Sequence, residues 1–329
     1  MKNEVMKKCD LLVENLRAYS RGFWFNNHLL NVIAAMSYSE KGKVADISRV
    51  KECRKLLRRK QNILSYFRGN NELIAATSMA ISNDPEQYID ELVGVYNRLQ
   101  QGKILGSTFR ALASITICDA GKASEADSII ARTNEIMALM KSKHPFITTS
   151  EDTCLAVILA MTDKSVDDIL NELENTYVTI KSRFTFHENA AYSLAQVLTA
   201  FEGDYESKCG KALDLFNEFK TVGSGYGKEY ELASLGILTN ISMNTGDIVS
   251  EVVEAAKYLK GKKGFGFWSV YRHTRLMIAA TIVHSAYAGE DSAASASVIG
   301  GTISRVIAEQ IMLMVIVAGA AASASSSSN

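Results

Sequence analysis

The chain has 329 residues, 47% of them hydrophobic, and its 36 Lys and Arg balance 36 Asp and Glu. That much apolar content excludes a disordered chain, two Pro in the whole length argue against a many-stranded barrel, and zero net charge removes any global pull toward nucleic acid. The charge is uneven, however: residues 1–70 hold 15 of the 36 basic and 6 of the 36 acidic side chains, which leaves 21 against 30 for the rest. Such a split suits an anionic partner for the basic end, or packing of the two ends of the chain against each other or against another copy.

In chain order, Val5, Cys9, Leu12, Leu16 and Tyr19 recur at helical spacing and predict a first helix over about 3–19. A Gly22-Phe23-Trp24 loop follows, and a second helix runs to about residue 38. A strongly basic third helix spans about 46–67. A short apolar helix over 73–82 stops at Asn83-Asp84-Pro85, where Asp84 as N-cap and Pro85 at the first helical position open the next one. A small-residue helix over 108–119 and one from Ser124 to Lys143 complete that unit. Thr149 with Asp152 then caps a new helix, and the same order repeats. Val178-Thr179-Ile180 and Phe184-Thr185-Phe186 alternate as a small β-hairpin would, the one local dissent from an all-helical pattern.

Two recurrences set the architecture. Gly22-Phe23-Trp24 and Gly266-Phe267-Trp268 are each followed by a His and then by Ile-Ala-Ala, and they hold both Trp of the chain. Tyr96, Tyr177 and Tyr258 fall 81 residues apart, each near the end of a corresponding helix. The expected fold is all-α, with about 14–15 helices as stacked hairpins in degenerate four-helix repeats of about 80 residues, like an α-solenoid. The units are a partial copy over 1–70 and copies over 71–145, 146–223 and 224–319, forming one domain, with an Ala/Ser tail over 320–329. The apolar stretch 311–322 is too short to cross a bilayer, which takes about 20 residues, and reads as a capping helix. Five scattered Cys without a Cys-x-x-Cys pair suggest reduced, buried thiols in a cytoplasm.

The run His144-Pro145-Phe146-Ile147-Thr148-Thr149-Ser150-Glu151-Asp152, with Leu155 to Ala160 after it, resembles the signature stretch of a bacterial protein family of unknown function. The Ala/Ser-rich C-terminal end is similar too. The resemblance implies a single-domain cytoplasmic protein of bacterial origin, and it brings no activity, cofactor or catalytic residue.

Three groups of residues are candidates for function. Trp24, His28, His187, Trp268 and His273 lie in or beside corresponding loops, which stacking would align along one rim where a ligand or peptide could meet them. The same residues could simply plug gaps and satisfy amides at helix starts. His144, beside Thr148, Thr149, Glu151 and Asp152, could hold a polar ligand, or belong to a Pro turn feeding a capping box. Lys51, Arg54, Lys55, Arg58 and Arg59 make one positive stripe, suited to an anion or to acidic neighbours within the fold. No cofactor, metal or catalytic motif is present in the sequence. The leading expectation is a cytoplasmic helical-repeat binding or scaffold protein with a protein or peptide partner. The alternatives are a small-molecule binder or enzyme using the aromatic-His loops, and anion binding through 49–60; neither nucleic acid nor a membrane is the expected partner.

Overall fold

Short polar caps decide where many of the helices begin. Asp46 accepts from the Arg49 amide, Asp84 from Glu86 and Gln87, Ser165 from Asp168, Asp204 from Ser207 and Asn244 from Asp247. The computed structural model describes residues 1–60, 67–102 and 107–287, and within them lie thirteen α-helices. They are α1 (Asn3–Gly22), α2 (His28–Glu40), α3 (Ile47–Arg59), α4 (Asn70–Ile81), α5 (Pro85–Gln100), α6 (Thr108–Asp119) and α7 (Ala126–Lys143). After these come α8 (Thr153–Ala160), α9 (Val166–Lys181), α10 (Glu188–Ala200), α11 (Tyr205–Thr221), α12 (Thr245–Lys260) and α13 (Arg272–Tyr287). A long 3₁₀ segment, Tyr230–Asn240, stands between α11 and α12.

The elements alternate between two kinds. α1, α3, α5, α7, α9, α11 and α12 each bury one face and leave the other in solvent. α2, α4, α6, α8, α10, α13 and the 3₁₀ segment are buried over most of their surface. Each outer helix pairs with the inner element that follows it, so the described chain is seven hairpins. The inner elements pack in the order α2, α4, α6, α8, α10, 3₁₀ segment, α13, and the outer helices follow the same order around them.

Rather than ending as an open stack, the hairpins return on themselves: α1 packs on both α12 and α13. The Lys2 amide donates to both Glu251 oxygens at 2.9 and 3.0 Å, Tyr258 Oη donates to Asp10 at 2.5 Å and Lys8 Nζ to Ser285 at 3.1 Å. Tyr96, Tyr177 and Tyr258 all sit on outer helices, and each interval of 81 residues corresponds to two hairpins.

Inner helices meet neighbours on several sides, which explains their small residues. Ala34 and Ala35, Ala75 and Ala76, Ala111 and Ala113, and Ala279 and Ala280 let the backbones approach. Their buried hydroxyls are satisfied within the helix: Ser39 Oγ donates to Ala35 O at 2.8 Å, Thr116 to Leu112 O at 3.0 Å, Thr199 to Ala195 O at 2.9 Å and Thr281 to Met277 O at 3.1 Å. Gly236 brings the 3₁₀ segment so near α10 that a Cβ there would meet Val197 Cγ1 at 2.7 Å.

The strand-like alternation around 178–186 does not make a hairpin. α9 runs through Lys181, and a 3₁₀ turn, Ser182–Phe184, follows it. Val178 and Thr179 stand on the exposed side of that helix, while Ile180 and Phe184 are core residues. The expected α3 runs to Arg59; its predicted continuation falls largely in 61–66, outside the described residues, as do the apolar C-terminal segment and the 320–329 tail. The five cysteines are free and buried; burial raises Cys9 to about 12 and Cys53 and Cys209 to about 11, so these thiols stay protonated.

Much of the basic stripe on α3 is engaged internally. Glu72 of α4, 6% exposed, receives Arg54 Nε at 2.6 Å, Arg58 Nε at 2.5 Å and Arg58 Nη2 at 3.0 Å. Burial pushes the Glu72 carboxyl up, but the hydrogen bonds and charges of Arg58 and Arg54 outweigh it and leave the group below its ordinary value. Its contribution is therefore present above the usual carboxylate range and is lost as pH falls through the lowered value. Glu72→Gln is expected to cost about 2 kcal/mol near neutral pH, because both guanidiniums lose their counter-charge but Arg58 can turn to solvent. Urea midpoints at pH 7 and at pH 3 check this: the deficit of the variant should shrink in acid.

Candidate functional site

Because every outer helix runs into its inner partner, the seven outer helices end, and the seven inner elements begin, at one end of the ring. Three of the connections between them share a pattern: one aromatic turns in and another turns out. Phe23 stacks on Tyr19 at 5.7 Å while Trp24 and Phe25, stacked together, are exposed. Phe184 packs edge-on against Phe216 at 5.0 Å while Phe186 is 95% exposed. Phe265 is fully buried while Phe267 and Trp268 are exposed, Trp268 to 96%. The inward ring anchors each loop, so the outward ring is held at its tip rather than folded back. Phe186 even takes a left-handed φ of +73°, a conformation non-glycine residues rarely adopt.

Phe146 on the α7–α8 connection, 93% exposed, and Tyr230 and Tyr271 extend the set. Taken around the ring, the outward aromatics occupy five consecutive hairpins: Phe146, Phe186, Tyr230, then Phe267, Trp268 and Tyr271, then Trp24 and Phe25. The last two groups adjoin across the closure. His28 Nε2 lies 2.7 Å from Gly264 O, the geometry of a donor to that carbonyl, and ties the two Trp-bearing loops together. Gly264 has a φ of +94°, and a Cβ there would sit 2.9 Å from Leu16 Cδ2, so this crossing depends on a glycine. Buried Arg275 fixes the second loop from beneath, its Nη1 donating to Phe265 O at 3.0 Å and Val270 O at 2.9 Å on either side of Phe267 and Trp268.

Charge follows the same axis. All seven outer helices have Lys or Arg in the last turn, next to these loops: Arg21, Arg58 and Arg59, Arg98, Lys141 and Lys143, Lys181, Lys220, and Lys257 and Lys260. At the other end, six have an acid in the first turn and α3 has Asp46 as its N-cap. Each helix gains from this placement through its dipole, and the sum is a ring with one basic rim and one acidic rim. The basic rim carries the exposed aromatics.

The histidines named from the sequence are spread along this rim and do not converge. His28 belongs to the closure. His187, the N-cap residue of α10, places Nδ1 3.0 Å from Glu229. His273 is exposed on the first turn of α13. His144 caps the end of α7, its amide bonded to Met140 O at 2.8 Å, with its ring between Tyr177 and Tyr192 and Nε2 2.8 Å from Glu174. The stretch after it forms the capping box expected there: Asp152 accepts the Thr149 amide at 2.8 Å and Gln196 Nε2 at 2.7 Å. Burial raises the Asp152 carboxyl, with these hydrogen bonds opposing. Lys141 Nζ, bonded to Thr148 O at 2.7 Å, closes the turn. His144 thus ties the end of α7 to both α9 and α10.

Trp24 and Trp268 face solvent rather than a pocket. A crevice at the ring closure, lined in part by Lys8, Leu12, Glu40 and Ser285, amounts to about 10 Å³, room for a water at most. Of the α3 stripe, Lys51, Lys55, Arg58 and Arg59 are exposed, Arg58 while bound to Glu72, and Lys51 and Arg54 stand 5.9 and 5.7 Å from the Phe23 ring. Among the described residues no three His, Cys, Asp or Glu side chains cluster as metal ligands would, and no helix is long and apolar enough to cross a membrane.

Residues 15–312 match the family described as protein of unknown function (DUF4003). The chain belongs to that family. No curated protein and no solved structure matches this DUF4003 chain. Of this rim the recurrence in the sequence marks Trp24 and Trp268, and it does not single out Phe25, Phe146, Phe186, Tyr230, Phe267 or Tyr271. The signal available for them was an aromatic in a short connection directly after a basic last turn.

Proposed function

We propose that this DUF4003 chain is a cytoplasmic binding protein that engages a macromolecular surface through its basic, aromatic rim. The observation that carries the reading is the arc of outward Trp, Phe and Tyr side chains at one end of five consecutive hairpins, three of whose loops are pinned from below by an inward ring. Large apolar side chains cost free energy when left in water, and a contiguous set of them on one face marks a contact surface. Hot spots of binding are enriched in Trp and Tyr, and basic neighbours steer an anionic partner toward them. The small-molecule and enzyme reading has weaker support, since the Trp residues line no enclosed space and the histidines are dispersed. Anion binding through α3 alone is also weaker, because Arg54 and Arg58 already serve Glu72.

The test compares retention of the wild-type chain and of a quadruple variant, Trp24→Ala, Phe25→Ala, Phe267→Ala and Trp268→Ala, on total extract of a host bacterium separated into soluble and membrane fractions. Retention should fall about tenfold or more for the quadruple variant, the loss of one good hot spot, and stay unchanged for Val44→Asp at the opposite end. Equal retention of all three proteins would sink the reading. These side chains are exposed, so far-UV circular dichroism should not distinguish the variants.

A further inference from the structure

The partner of this rim can be narrowed, on the reading that the rim is the binding surface. We infer that the rim docks on an anionic lipid surface, with the aromatic tips entering the headgroup region and the basic last turns facing the phosphates. Three features favour a bilayer. The outward rings stand in groups of one to three on separate hairpins, as wedges into a deformable layer do; they do not line a groove that a folded or helical partner would fill. Trp, Tyr and Phe are the side chains that suit the water–lipid boundary, and both Trp of the chain are here. Lys or Arg stands in the last turn of every outer helix, and Lys262, Lys263 and Arg272 flank the Phe267–Trp268 loop. These outnumber the acids of the same rim, Glu151, Glu188, Glu218 and Glu229, an excess that matches acidic headgroups.

A second copy offers its acidic rim as a rival occupant, by head-to-tail stacking. The carboxylates at that end are partly used at home, however: Asp46 and the further N-caps Asp84 and Asp204 accept the first amides of their own helices. Crossing a bilayer takes an apolar helix of about 20 residues. Lying on its surface needs no such length.

Intrinsic fluorescence reads this surface directly, since Trp24 and Trp268 are the only indoles of the chain and both are exposed. Full-length protein would be mixed with vesicles of phosphatidylcholine containing phosphatidylglycerol, or of phosphatidylcholine alone, and followed by emission and by flotation. The expected result is flotation and a blue shift with the phosphatidylglycerol vesicles, quenching by lipids brominated on the acyl chains, and weakening as salt rises. The pairs Phe267→Ala/Trp268→Ala and Lys260→Glu/Lys263→Glu, the latter joining the end of α12 to the exposed Lys263 of the following loop, should each weaken partition about tenfold or more, while Val44→Asp floats as wild type does. No flotation with the phosphatidylglycerol vesicles at low salt, or flotation that both pairs leave intact, overturns the lipid assignment. Should flotation fail while retention on extract still depends on the rim, the binding surface stands and its partner is protein. Concentration-dependent association in sedimentation velocity, abolished by the same pairs, would identify that protein as a second copy. Failure of both flotation and rim-dependent retention removes the surface itself.

Discussion

Acidification from pH 7 to pH 4 is expected to cost the fold about 3 kcal/mol through one imidazole, that of His284. His284 lies on α13, 1% exposed, with its ring 6.4 Å from Phe201. Burial lowers it from the ordinary 6.5 to about 4. Between those values the folded imidazole is neutral and the unfolded one is charged, so the unfolded chain binds the additional proton. The stabilising difference is complete above about pH 6.5 and drains away as pH falls toward 4. Glu72 acts in the same direction, so the contribution of His284 is isolated by difference. His284→Gln should trail wild type at pH 7 by more than at pH 4, with the gap closing by about 3 kcal/mol in chemical denaturation. A gap independent of pH would mean that the imidazole gains its proton without opening the core.

Glu172→Gln should destabilise the chain by about 3 kcal/mol at neutral pH, because it strands two buried ammonium groups. Glu172 sits on α9 between Lys208 Nζ at 2.5 Å and Lys164 Nζ at 2.7 Å, and both lysines are largely buried. These ammoniums also finish α10: Lys164 donates to Thr199 O at 2.8 Å and Phe201 O at 3.1 Å, and Lys208 to Phe201 O at 2.6 Å. Burial pulls Lys208 below its ordinary value, while Glu172 pulls it back. Without the carboxylate, two cations share one carbonyl in a desolvated site. The double change Glu172→Leu with Lys208→Met should recover about half of the loss, since the apolar pair carries no desolvation cost while Lys164 is still without its counter-charge. Thermal denaturation of wild type, single and double variants decides it; a single variant as stable as wild type would show the cluster to be solvated.

Asp84-Pro85 and Thr149 with Asp152 were readable as helix starts because capping is local: the cap and the amides it serves lie within three or four positions. The strand-like alternation at 178–186 misled because over so few residues a period of two overlaps a helix whose two faces differ little. The α3 stripe was visible as charge, but its engagement with Glu72, 14 and 18 residues further on, was not, since the pairing depends on how α3 and α4 cross.

The sequence by itself determined an all-helical chain, the caps that start many of its helices, and the recurrence that brings Trp24 and Trp268 into the same slot. Those properties follow from contacts a few residues apart and from the spacing of apolar side chains. Tertiary structure alone decided which helices go inside, that α1 meets α12 and α13, and which aromatics face water. Phe23 and Trp24 are neighbours, yet one is 6% and the other 69% exposed. The difference arises because Tyr19 and the α3 side chains cover Phe23 from elsewhere in the fold, and burial belongs to what lies against a residue, which its own spacing does not encode.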